Sequence, residues 1–349
     1  MLAALWFFRD ELDPAAAITQ LRNAEPGPLL LGCATAILSL VAMAEVMRVL
    51  LGAGGTRVSL RHTAGLTFGA NALSTSFPGG AAISTVLQFQ VMRHWKASPL
   101  LISWFIVFSG ALSTVWLIAL GVGAIMLRDA AFNVWSMTLP LLGMSCLAGV
   151  VWWATNHPKQ LARVVELVFP PVERGLRRII LGFANLLPRI SVIAGLRHRC
   201  ERLAARPLAG GTNAVIEHIY QLEAVRLTRV RFGWAALCSL SNWLFDAATL
   251  GLTVWALTDV VPDPGAILLA FITSKIVGST NLTPGGLGPV DGALVGTLIA
   301  TGFHSPDALS AVILYRCISL GMITAIGWVV YLLSPWRKHN QPAKVNSKP

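Results

Sequence analysis

The chain has 349 residues, 55% of them hydrophobic and 12% charged, whereas an ordinary soluble domain has about 25% charged residues. This composition argues against a water-soluble fold, and the net charge of +11 lies mainly between apolar runs, as in cytoplasmic loops, so no nucleic-acid partner is expected. Cys33, Cys146, Cys200, Cys238 and Cys317 lack CxxC spacing, so no disulfide, metal or other cofactor is expected.

The N-terminal segment, 1–28, starts with a short apolar stretch from Met1 to Phe8, followed at once by Arg9, Asp10, Glu11 and Asp13. It lacks the basic region and small-residue cleavage site of a signal peptide and is expected to be retained. The first span is 29–51, because about 20 apolar residues cross a hydrocarbon layer as a helix. The next apolar stretch, 64–92, is interrupted by Pro78, Gly79 and Gly80. Its halves, about 13 or 14 residues each, are too short to cross comfortably, and the second carries Gln88 and Gln90. A re-entrant hairpin is expected there. Arg57 and Arg61 before it, and Arg93 and Lys96 after it, place its entry on the cytoplasmic side.

A further span, 99–127, completes a first membrane repeat, 29–133, and 134–155 is expected to be a linking transmembrane helix. The segment 156–231 is strongly basic, with Arg163, Arg174, Arg177 and Arg178 among many. Its apolar residues recur at helical spacing, as in Leu161, Val164, Val165 and Val168. Basic amphipathic helices on the anionic inner leaflet are expected, either as anchors alone or also gathering anionic lipid.

A second membrane repeat, 232–333, opens with the span 234–257. The stretch 265–303 is then interrupted by Pro284, Gly285 and Gly286, with halves of about 17 or 18 residues at the lower limit for crossing. Asp259 and Asp263 precede it, and His304 and Asp307 follow it, without Lys or Arg, so it enters from outside. The last span, 308–333, leads into a basic cytoplasmic tail, 334–349.

The order span, hairpin, span thus occurs twice, with one extra crossing between. The expected fold is an all-α, multi-pass integral membrane protein with about six full transmembrane helices and two broken hairpins in an inverted repeat. Such repeats meeting at the midplane are a transporter architecture; the alternative is two unrelated Gly/Pro kinks.

Ionisable residues inside apolar spans cost about 2.5 to 3.5 kcal/mol each at a helix centre and face a cavity or a partner. Here they are Glu45, Arg48, Asp246, Lys275, Asp291 and Arg316. Glu45 and Arg48 stand one turn apart and either pair or, with Asp246, serve as coupling groups. At each break glycine frees the backbone and proline stops the helix, so freed amides can face an anion. Pro78, Gly79 and Gly80 in the first hairpin, and Asn281, Pro284, Gly285, Gly286 and Gly288 in the second, are therefore substrate-binding candidates together with Lys275, Asp291 and Arg316. The alternative is a tight structural turn. Gly288, Gly292 and Gly296, spaced by four, also suit close helix packing.

The run Thr283-Pro284-Gly285-Gly286-Leu287-Gly288-Pro289-Val290-Asp291, with Tyr315-Arg316 downstream, resembles the lysylphosphatidylglycerol synthase transmembrane-region family, also called the YbhN or UPF0104 family. Asp291 stands where that family commonly has Glu, and Ala81 and Ala82 depart from its more polar first half. The resemblance implies a membrane domain linked to lipid translocation. In the family's namesake a separate soluble domain synthesises the aminoacyl lipid and this region helps to flip it; relatives are associated with hopanoid pathways or fused to glycosyltransferases. No such soluble domain is expected in this chain, nor catalysis of its own. The function expected is a carrier or flippase in the bacterial cytoplasmic (inner) membrane for a phospholipid, hopanoid or polyprenyl-linked lipid, acting alone, as a homo-oligomer or with an envelope-biosynthesis partner. The alternative is an accessory subunit or transferase in lipid or envelope biosynthesis without transport.

Overall fold

A computed structural model of the chain describes residues 24–77, 79–128, 227–279 and 283–334. The expected linking helix 134–155, nearly all of the basic segment 156–231 and of the tail 334–349, residues 1–23 of the N-terminal segment, and Pro78 and Asn281 lie outside the described residues. So does the unit Val150–Leu227, apart from Leu227 itself.

Among the described residues all regular structure is helical. In chain order the helices are α1 (Pro26–Ala53), α2 (Leu60–Ser76), α3 (Gly80–His94), α4 (Pro99–Arg128), α5 (Arg229–Thr258), α6 (Pro264–Gly278), α7 (Pro289–Ala300), α8 (Ser305–Arg316) and α9 (Ile323–Leu333). A 3-10 turn, Pro284–Gly286, precedes α7, and a π-helical segment, Cys317–Met322, joins α8 to α9. By length and apolar composition Pro26–Ala53, Pro99–Leu127 and Ser305–Leu333 suffice to cross a membrane. The final span is therefore one helix with a widened turn inside it.

Local chemistry sets the helix limits. Pro26 and Pro264 occupy first-turn positions, where the missing amide costs nothing. The Asp263 carboxylate accepts from the amides of Gly265 and Ala266 at 3.3 and 3.0 Å, capping α6. Asp259 ends α5 in the left-handed region at φ 53°.

Helices α1 and α5 pack antiparallel along their length. Gly32 lies against Leu252, Thr35 and Thr249 share a hydroxyl hydrogen bond of 2.9 Å, and Ser39 donates to Asn242 at 3.1 Å. Small residues let the backbones approach, and short polar side chains bond across the seam. Near one end Arg231 reaches the carbonyl of Gly52; near the other the Glu25 amide donates to the carbonyl of Ala256 at 2.8 Å. The loop into α2 leaves from the first end and the loop into α6 from the opposite one.

Each helical hairpin packs on the last long helix of the other half of the chain. Helix α2 lies antiparallel against α9, where Gly327 meets the carbonyl of Phe68 and Ala72. Helix α6 lies against α4, where Gly121 meets Ile272. One apolar core among the described residues surrounds the second hairpin and includes Leu120, Leu250, Phe271, Leu294 and Leu298. A smaller one gathers Ala36, Phe68, Ile318 and Ile323. Away from these cores Leu30, Val107 and Ile125 are more than half exposed, as befits side chains that face acyl chains.

The hairpin helices are short. Helices α2 and α3 have 17 and 15 residues, while α6 and α7 have 15 and 12. They reach about 18 to 26 Å, less than the ~30 Å hydrocarbon layer. The second pair falls below the 17 or 18 residues per half expected from the sequence. Pro284 and three positive-φ glycines, Gly285, Gly286 and Gly288, keep the residues before α7 out of α-helix.

Candidate functional site

The second break is built on backbone that only glycine adopts without strain. Gly285 and Gly286 have φ of 60° and 69°, and Gly288 has φ of 96°. A side chain on Gly285 would also meet Leu320 at 2.5 Å. Pro289 then starts α7, and Asp291, two residues on and 5% exposed, turns back over the start of the helix. Its Oδ2 accepts from the amide of Gly288 at 2.8 Å, satisfying a donor that helix geometry leaves open.

Arg316 fastens this turn from the end of α8. Its Nε donates to Asp291 Oδ1 at 2.6 Å, and its Nη1 donates to the carbonyl of Gly285 at 3.2 Å. The remaining nitrogen, Nη2, is buried and has no hydrogen-bond partner among the described residues. A guanidinium carries five donors in a fixed fork, so Arg316 can hold its own turn and still present donors to an anion. The π segment begins at the next residue; such widened turns occur frequently at functional sites.

The two breaks approach one another. The 3-10 turn packs against the end of α2, with Gly285 next to the carbonyl of Thr75. Thr75 and Thr324 share a 2.9 Å hydroxyl hydrogen bond, and the Trp328 indole donates to Ser76 at 3.0 Å while packing edge-on to Phe77. Gly79 is left-handed at φ 69°. A Cβ on Gly80 would strike the carbonyls of Leu73 and Ser74, so this glycine is what lets α3 fold back so tightly. Pro284 contributes backbone to the second turn.

Lys275, a candidate anion partner, is paired with Asp246. Its Nζ donates to Asp246 Oδ2 at 2.7 Å and lies over the rings of Phe271 and Trp243, at 4.7 and 5.5 Å from their centroids. Tyr315 completes the cluster by donating to Asp246 Oδ1 at 2.9 Å. Asp246 thus ties α5, α6 and α8 together, the last through Tyr315, the residue before Arg316. The sequence signal for Tyr315 was only its position beside Arg316. Glu45 and Arg48 form a bidentate pair of 2.6 and 2.5 Å, which the Trp234 indole joins through Glu45 Oε1 at 2.9 Å. That pair stands on α1, apart from both the Asp291 and the Asp246 clusters.

A multi-pass α-helical membrane protein with two glycine-broken hairpins is what this fold and site define. The family described as "Lysylphosphatidylglycerol synthase TM region" matches residues 1–327, and the chain belongs to it. Over 91 residues the chain is 30% identical to a "UPF0104 membrane protein" of Methanothermobacter thermautotrophicus. That similarity covers 26% of this chain and 27% of the relative's length.

Proposed function

We propose that this protein is a carrier that translocates a lipid or lipid-linked anion across the cytoplasmic membrane of a bacterium, with the anion held where the two hairpins meet. The observation that carries this reading is the Arg316 guanidinium, which spends two nitrogens on Asp291 and Gly285 and keeps a third buried beside the broken backbone. In a low-dielectric site such a donor has a phosphate or carboxylate as its natural complement.

An inverted repeat of re-entrant hairpins is the architecture that fits. One and the same interval separates Pro78 from Pro284, His94 from Ala300, Pro99 from Ser305 and Gly121 from Gly327. The reciprocal packing of α2 on α9 and of α6 on α4, and the antiparallel seam of α1 with α5, support a pseudo-two-fold axis through the middle of the unit. Helices too short to cross support re-entry. On this register Arg316, Asp291 and Lys275 correspond to Gly110, Thr85 and Gly69, while Glu45 corresponds to Gly251 and Asp246 to Leu40. The scaffold is thus repeated and the charges are not, so the anion site belongs to the second half.

The test is movement of a fluorescent phosphatidylglycerol across proteoliposomes, at matched amounts of folded protein. Arg316→Gln is expected to lower the rate about tenfold or more, as loss of a charge-assisted hydrogen bond does. Arg316→Lys restores part of it, because a point charge cannot hold Asp291, Gly285 and a ligand at once. Wild-type rates in Arg316→Gln would remove the anion site. No movement by the wild-type protein would instead favour an accessory or biosynthetic role.

A further inference from the structure

An open groove of about 660 Å³ runs along the seam of α1 and α5 and is lined in part by Leu38, Val41 and Ala42 on one wall and Trp234, Cys238 and Phe245 on the other. Both sets recur at three- and four-residue intervals, so each helix contributes one continuous stripe. The volume falls in the range of small-molecule sites, about 300 to 1,000 Å³. Ala42, Cys238 and Ser241 are too small to fill the space between the stripes. The Gly32, Thr35 and Ser39 contacts described above hold the two backbones together elsewhere along the seam.

One end of the groove is charged. Glu45, only 12% exposed, orients the Arg48 fork, 44% exposed, by accepting from its Nε and Nη2. The Nη1 of Arg48 has no hydrogen-bond partner among the described residues. The Trp234 indole, held by the same carboxylate, stands at this end as amphipathic rings do at a headgroup boundary. Within residues 45–62 and 227–241 the charged side chains are Arg48, Arg57, Arg61, Arg229 and Arg231 against Glu45 alone. Arg48 lies about one and a half turns from the end of α1, at the depth where a membrane-spanning helix meets headgroups.

We infer that this groove binds one anionic phospholipid, its acyl chain along the α1–α5 stripes and its phosphate at Arg48. The apolar wall along a membrane span selects an acyl chain over a soluble anion. The excess of arginine at one end selects an anionic headgroup over a zwitterionic one. The site lies in one leaflet and is separate from the Arg316 turn. It stands apart from the transport reading, because its readout is occupancy and not movement.

The test uses the full chain in nanodiscs carrying phosphatidylglycerol with a photoactivatable acyl chain, with the corresponding phosphatidylcholine as control, and maps the adducts by mass spectrometry. Adducts are expected to concentrate on residues 38–48 and 234–245. Ala42→Trp, which fills the groove, or Ser241→Phe from the opposite wall should reduce them about tenfold, the equivalent of one decade in affinity. Arg48→Gln should reduce phosphatidylglycerol adducts and spare those of phosphatidylcholine, with Arg48→Lys largely restoring the difference. Adducts spread equally over the outward face of α4 at Val107 and Ile125, and indifferent to both filling variants, would overturn the site in favour of ordinary surrounding lipid. Full displacement by free glycerol 3-phosphate would also overturn it, in favour of a soluble anion.

Discussion

Arg316 gives two of its nitrogens to Asp291 and Gly285 and leaves a third unpartnered among the described residues, and that arrangement fixes what its neighbours can do. Asp291 accepts from Gly288 through one oxygen and from Arg316 through the other. Asp291→Asn would turn one of these acceptors into a donor facing a donor, and would leave the guanidinium without its counter-charge. Removing one partner of a buried pair costs about 3 to 5 kcal/mol, so the variant is expected to unfold at clearly lower temperature in detergent, whether or not lipid is present. An unchanged unfolding temperature would mean that Asp291 is not the counter-ion. At this scale the sequence was partly legible: a charge inside an apolar span costs too much to be accidental, which marked Asp291, Arg316, Asp246 and Lys275. It also offered Arg48 as a partner of Glu45 and Asp291 as the carboxylate for Arg316, but not the partners of Asp246. Lys275 meets Asp246 and Tyr315 meets Asp246 only because three helices converge, and nothing local to any of them records that.

Among the elements, the two hairpins depend on close backbone approach. At Gly327 an added Cβ would meet the carbonyl oxygen of Phe68 and the Cβ of Ala72, neither of which can swing aside. Gly327→Ala is expected to cost about 1 to 3 kcal/mol, as overpacking does. At Gly121, on the α4–α6 crossing, the nearest atom is Ile272 Cγ2 at 3.6 Å, ordinary contact, so Gly121→Ala should stay within about 0.5 kcal/mol. Thermal unfolding of the two variants side by side checks this; equal losses would mean that the α2–α9 and α4–α6 crossings are equally tight. The breaks themselves were readable, since Pro and consecutive Gly interrupt otherwise apolar runs. The late start of α7 was not, because Leu287 and Gly288 extend the break beyond the Pro-Gly-Gly element. The π segment was not either: Cys317 to Met322 continues the apolar pattern without a signal.

On the scale of the whole molecule, loop charge and packing bear on the same question from independent sides. Arg and Lys are in excess around the first hairpin and the flanks of the second are acidic, a contrast from which the positive-inside rule predicts loops on opposite faces. The loops into α2 and α6 leave opposite ends of the antiparallel α1–α5 pair. The sequence offered an order of spans and breaks, while the reciprocal seating of each hairpin on the other half's last helix was not legible in it, because that rests on contacts far apart in the chain. The most direct measurement is labelling of single cysteines by a membrane-impermeant maleimide in intact cells, in a background without the native cysteines. Val260→Cys and His304→Cys, at exposed positions flanking the second hairpin, are expected to label in intact cells. Arg57→Cys, exposed before the first hairpin, should label only after permeabilisation. Labelling of all three from the same side would contradict hairpins that enter from opposite faces, and with it the inverted carrier architecture.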